Sequence, residues 1–179
     1  MNKNRILKLV LAAICLSLCM VLPFLTGQIP EIGSMLSPVH IPVLLCGFIA
    51  GPLWAAVIGL TAPVLRFALF GMPPIFPVGA AMCFELAVYG AASGLLYSRL
   101  PKKTVSIYIS LIAAMLLGRI AWGIVRVLLS GVKGSPFTWA AFMACAFTTA
   151  IPGIILHIAL IPVIVMALQR AMPSLKNLK

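Results

Sequence analysis

The sequence predicts an all-α, polytopic membrane protein with six transmembrane helices and both termini in the cytoplasm, on three observations. Of its 179 residues, 63% are hydrophobic and 8% are charged, against roughly 45–50% and 25% in a soluble domain. Apolar runs follow one another with short polar breaks, several of them near the roughly 20 residues that a helix needs to cross a bilayer. Basic residues gather at alternate breaks, as the positive-inside rule asks of cytoplasmic segments. The composition excludes an ordinary cytosolic enzyme, a disordered chain and a nucleic-acid-binding domain. The net charge of +11, from 13 Lys and Arg against two acids, is therefore read mainly as a topology signal.

The spans fall at about 6–25, 40–50, 53–70, 78–97, 105–129 and 137–168, within a single domain covering 1–179. The first follows Lys3, Arg5 and Lys8; it is too long for a signal peptide and no A-x-A cleavage site follows, so it reads as a retained helix. Residues 26–39, rich in Gly, Pro and Ser, form a loop. The second span is short and stops at Gly51-Pro52. Residues 71–77, with Pro73, Pro74 and Pro77, cannot be helical in their middle, because each proline removes a donor and restricts its predecessor. The last span is interrupted at Pro152-Gly153 and again at Pro162, which predicts a kink or a projection beyond the bilayer. Six spans place Lys3, Arg5, Lys8, Arg99, Lys102, Lys103, Arg170, Lys176 and Lys179 inside and Lys133 outside; five would put the last three on the wrong side.

Cys15, Cys19, Cys46, Cys83 and Cys145 lie in apolar stretches without a C-x-x-C pair, and read as small buried hydrophobes. No metal site and no cofactor are expected. The chain has no G-x-x-x-x-G-K-[ST] phosphate loop, so an ATPase driving active transport would have to be another chain.

Four charged residues fall within the spans: Arg66, Glu85, Arg119 and Arg126. A charge at mid-bilayer costs from about 2.5 kcal/mol upward and normally faces a bundle interior or an aqueous cavity. Arg119, Trp122 and Arg126 share one helix face, as do Met82, Glu85 and Tyr89. The two faces are expected to meet around a cavity opening outward, with His40 at the mouth of the second span. The competing readings are snorkelling for Arg66 and Arg126 and a structural ion pair for Glu85 with Arg119. Three arginines against one glutamate favour an anionic or zwitterionic organic solute, with Trp122 and Tyr89 covering its apolar part. His157 reads as structural. No carboxylate pair or Ser-His-Asp set suggests turnover, so no catalytic residue is assigned and the chain is not read as an enzyme.

Small residues recur every four positions at Gly51, Ala55 and Gly59, at Ala13 and Ser17, and at Gly90 and Gly94. Such stripes let helix backbones approach closely, either inside the bundle or against a partner helix.

Several motifs together resemble the substrate-binding (S) components of energy-coupling-factor (ECF) vitamin importers. They are Leu36 to Gly47 (LSPVHIPVLLCG) with Gly51-Pro52, Gly71-Met72-Pro73-Pro74, Phe84-Glu85-Leu86 with Tyr89-Gly90, and Ile151-Pro152-Gly153-Ile154. Within that family the pattern looks most like the pantothenate-type branch. The resemblance implies a six-helix protein of the bacterial plasma membrane that binds one vitamin near the outer face, with residues 26–39 as a lid. It also implies a transmembrane coupling subunit driven by two cytoplasmic ATPases, contacted through small residues on the first helices. The family's A-x-x-x-A departs here to Ala13-Ile14-Cys15-Leu16-Ser17, so the Gly51, Ala55, Gly59 stripe is a second candidate for that contact. Two rival readings stand beside it: a stand-alone proton-coupled transporter of a small organic anion, using Glu85, and a small membrane enzyme using His157 or Glu85.

Overall fold

The computed structural model describes residues 3–26, 29–133, 138, 142–143 and 150–173. Along them run helices α1 (Lys3–Val21), α2 (Pro30–Leu36), α3 (His40–Ile49), α4 (Pro52–Phe70), α5 (Ala80–Arg99), α6 (Thr104–Lys133) and α7 (Ile151–Ala171). A 3-10 turn, Leu22–Thr26, extends α1, and a π-turn, Ile75–Gly79, leads into α5. Phe76, inside that turn, is extended (φ −127°, ψ 133°), as the surrounding prolines require.

Among the described residues, five segments are long and apolar enough to cross a membrane: Asn4–Thr26, Pro52–Phe70, Ile75–Arg99, Thr104–Gly131 and Ile151–Ala171. The second expected span is different in kind. α3 has 10 residues, a rise of about 15 Å against a hydrocarbon core of about 30 Å. All of its residues are buried. It packs against α1, α4, α5 and α7 as an internal half-helix, so its apolar run reflects protein contact on every side rather than lipid.

α5 lies at the centre, packed against α3, α4 and α6. Its mixed composition follows from that position: Glu85, Leu86, Tyr89, Gly90, Ser93, Gly94 and Tyr97 are all buried. The perimeter is apolar in the opposite sense. Leu53, Val105, Ile124, Leu128 and Ile155 are each more than half exposed, which suits contact with acyl chains.

Close backbone approach explains the small residues of α4 and α5. A Cβ on Gly59 would overlap the backbone of Leu86 and Ala87, and one on Gly90 would overlap Ala55. Ala55 and Gly59 therefore serve an internal α4–α5 contact, which corrects their expected role as a surface for a partner helix. Gly51 also leaves that stripe. It stands at the α3–α4 turn with φ +100°, a backbone conformation that side chains disfavour. Ala13 and Ser17, by contrast, are exposed on α1.

In the last span, Pro152 occupies the first turn of α7, where its missing N–H costs nothing; the expected break at Pro162 is corrected. Pro162 is carried inside α7 without ending it. Most of the expected span before Ala150 lies outside the described residues, as do Lys176 and Lys179.

Alanine at Gly59 should lower the unfolding temperature of the purified protein in detergent, since overpacking of this kind costs about 1–3 kcal/mol. Alanine at Gly131, where a Cβ meets nothing within 4 Å, should leave the transition unchanged or slightly raised.

Candidate functional site

The site begins with Glu85, in the second turn of α5, whose side chain is 2% exposed. A carboxylate at that depth requires polar partners, and two helices supply them. Arg119 of α6 places Nη1 3.0 Å from Glu85 Oε1. His40, the first residue of α3, places Nε2 3.6 Å from the same oxygen. Tyr89, one turn beyond Glu85 and buried, meets the His40 ring edge-on at 5.2 Å between centroids. Its own ring fills the space over Gly118 of α6, where any Cβ would collide with it.

His157 of α7 completes the group. Its ring stacks on that of His40, with centroids 6.1 Å apart and planes inclined by 19°. Four helices thus converge through His40, Glu85, Tyr89, Arg119 and His157. Sequence reasoning left His157 out because a lone histidine beside an apparent helix break carries no spacing signal. Only the packing of α7 on α3 brings it to His40.

The cluster holds more hydrogen-bonding capacity than the protein uses. His40 Nδ1 and Nε2, His157 Nε2, Arg119 Nε and Glu85 Oε1 are buried and make no aligned hydrogen bond. The Arg119–Glu85 approach is short enough for an ion pair but lies off the hydrogen-bond axis. Buried polar atoms without partners are rare in proteins and cost about 1–3 kcal/mol each. Beside the cluster is a slot of about 80 Å³ lined by Tyr89, Ile112, Met115, Leu116, Arg119, Ile154 and Ile158. Its walls are apolar, with Arg119 and Tyr89 at the polar end.

The other expected site residues lie elsewhere. Met82 is half-buried and packs on the main core. Trp122 packs against Ala81, Val125 and Phe142 in a second small core, and the Arg126 guanidinium sits 5.6 Å from its ring centroid. Arg66 is buried at the end of α1, where Nη1 donates to the carbonyl of Met20 at 2.9 Å and to that of Cys19 at 3.5 Å. Those carbonyls belong to the last turn of α1, whose acceptors lack intrahelical donors. Arg66 also stacks over Phe70, which meets Phe24 edge-on. The expectation of three arginines around one glutamate is thus corrected: Arg119 pairs with Glu85, Arg66 caps α1, and Arg126 stacks on Trp122. Formally, the Glu85–Arg119 pair is neutral.

Residues 7–165 match the family model for the ECF transporter, substrate-specific component. The chain belongs to this family. It is a family of transporter substrate-binding components rather than of enzymes, whose members bind a small molecule and work with an ECF module. No curated protein and no solved structure matches the chain significantly. Family membership and five span-capable helices make this S component a multi-pass membrane protein.

Two variants separate the roles of the arginines. Arg119→Met leaves the Glu85 carboxylate without its guanidinium and should destabilise the protein by about 3–5 kcal/mol. Adding Glu85→Gln should recover much of that loss, so a double-mutant cycle read by denaturation in detergent should give a coupling well above zero. Arg66→Met should lower the unfolding temperature while leaving ligand affinity within about twofold, since buried hydrogen bonds to a charged group contribute about 1.5–3 kcal/mol to folding.

Proposed function

We propose that this protein is the vitamin-binding S component of an ECF-type importer in the bacterial plasma membrane. In this reading the six membrane segments are α1 and α3 to α7, with both termini cytoplasmic and α3 the shortest of the six. The observation that carries it is the buried group of His40, Glu85, Tyr89 and Arg119, with unmatched hydrogen-bonding atoms beside an apolar-walled slot. Membership of a family of transporter substrate-binding components supports binding rather than turnover at this group.

The ligand class follows from the atoms on offer. Arg119 presents N–H donors suited to a carboxylate. Glu85 accepts from a hydroxyl or amide N–H, and the two imidazoles take either role. Because Glu85 and Arg119 pair with each other, selection rests on matched hydrogen bonds rather than on surplus positive charge. A carboxylate that also carries hydroxyl and amide groups fits best, and pantothenate is the first candidate. The slot is smaller than the roughly 300–1,000 Å³ of common small-molecule pockets, so admitting such a ligand requires its walls to move apart.

The partner surface is assigned to α1. Val10, Ala13, Ile14, Ser17, Leu18 and Val21 line an open apolar groove of about 400 Å³, floored by the two small residues. The Ser17 hydroxyl is turned onto its own helix, donating to the Ala13 carbonyl at 3.0 Å. The groove therefore presents little unsatisfied polarity to a partner helix. In this reading it receives the transmembrane coupling subunit, which two cytoplasmic ATPases drive.

Labelled pantothenate should bind purified protein in lipid nanodiscs, and Arg119→Met should weaken binding by at least about tenfold, a loss of 1.4 kcal/mol or more. Equilibrium binding across a panel of B vitamins and related acids checks this. Absence of binding by every member rejects the reading. Uptake driven by a proton gradient in liposomes containing this chain alone favours the secondary transporter that uses Glu85.

A further inference from the structure

Between α2 and α3 the chain turns sharply. Ser37, the residue after α2, is left-handed (φ 47°, ψ 54°) and its N–H closes the helix on the Gly33 carbonyl. Its own carbonyl then accepts from the His40 N–H at 3.0 Å. The turn thus sets where α3 starts, and so where the His40 ring stands relative to Glu85. Two residues of α7 hold the turn in place. Gly153 lies so close beneath α2 that a Cβ there would overlap the Met35 carbonyl and crowd Leu36. One helical turn on, the His157 ring faces the backbone carbonyls of Ser37 and Leu36.

His157 therefore faces two ways. One edge engages the end of α2, while the ring face stacks on His40 and Nε2 remains without a partner among the buried polar atoms. Its neighbours along α7, Ile154 and Ile158, form part of the slot wall. Displacing α2 from Gly153 would release the His40 turn and the adjoining wall together.

We infer that His157 is a positioning residue of the binding site, joining the seat of α2 on α7 to the orientation of His40 beside Glu85. This rests on the binding-site reading above, and it assigns His157 and Gly153 a purpose that ligand contact alone does not. The seat at Gly153 supplies the steric fit and the register of the turn, His157 stands against that turn, and the stacked imidazoles carry the register to the carboxylate. A ligand held by His40 dissociates slowly only while α2 stays seated.

The chain has two histidines, so any His157 variant leaves His40 as the sole imidazole signal. In full-length protein in nanodiscs, with ¹⁵N-labelled histidine and no ligand, the His40 ring resonances are expected to shift or broaden in His157→Leu. They should return toward the wild-type position in His157→Asn, whose amide can still donate to the turn. Gly153→Ala, which keeps His157, should move the same resonances and speed amide hydrogen exchange at Gly33 and Ser37. With labelled pantothenate as the probe, dissociation from His157→Leu and Gly153→Ala should be at least about tenfold faster, with association little changed. His40 resonances that coincide with wild type in both His157→Leu and Gly153→Ala would overturn the inference, and the two substitutions act at separate residues should one of them fail to fold. The resonance and exchange shifts without any pantothenate binding would uphold the positioning role while removing pantothenate as the ligand.

Discussion

A carboxylate carried into an apolar bundle dictates which helices must meet and at what depth. Glu85 is that group, and its burial is offset by Arg119 and His40, brought to it from other helices. Arg119 reaches it because α6 packs along α5. His40 reaches it because α3 begins at that level instead of crossing the full membrane thickness. Moving either helix by one turn, about 5.4 Å, would strand the carboxylate. Register across α3, α5 and α6 is therefore fixed by one side chain as firmly as by the close contacts at Gly47 and Gly118.

The same constraint divides the polar residues of the chain by task. Arg66 satisfies the terminal carbonyls of α1 and is a structural group in spite of its charge. At the opposite end of α5, Tyr97 accepts a 2.8 Å hydrogen bond from Gln169 Nε2 and its ring carries the Lys102 ammonium at 3.7 Å. Phe48 of α3 packs edge-on against it. There the polar groups named satisfy one another. At the Glu85 end several buried donors and acceptors converge without partners, and this imbalance is what the proposed binding reading rests on.

An S component has to hold its solute in a bundle and also let it go. Its α5 is pinned through glycine contacts to α4 and through Tyr89 to α6. α7 is tied differently: it lends two apolar side chains to the slot wall and seats the short α2. Fixed helices bear the charged groups, and the element beside the short helix bears a wall. In the binding reading proposed above, this division keeps the recognition geometry on the fixed helices while the wall on α7 moves.

Much of this protein was legible in its residues. Hydropathy and the placement of basic residues located four of the long helices to within a few residues, whereas the last, expected from about 137, is described only from Ile151; the motifs around His40, Glu85 and Gly153 pointed to the family. The faces Met82, Glu85, Tyr89 and Arg119, Trp122, Arg126 follow from helical spacing alone. That spacing cannot say which neighbour a face meets, so three arginines looked equivalent. Tertiary packing separated them: α4 turns Arg66 toward α1, whereas α6 turns Arg119 toward α5. Packing also made α3 a wholly buried half-helix and turned Ala55 and Gly59 inward, because a small-residue stripe reads the same to an internal neighbour and to a partner. His157 entered the site for the same reason, since its nearness to His40 is a property of two helices more than a hundred residues apart in sequence.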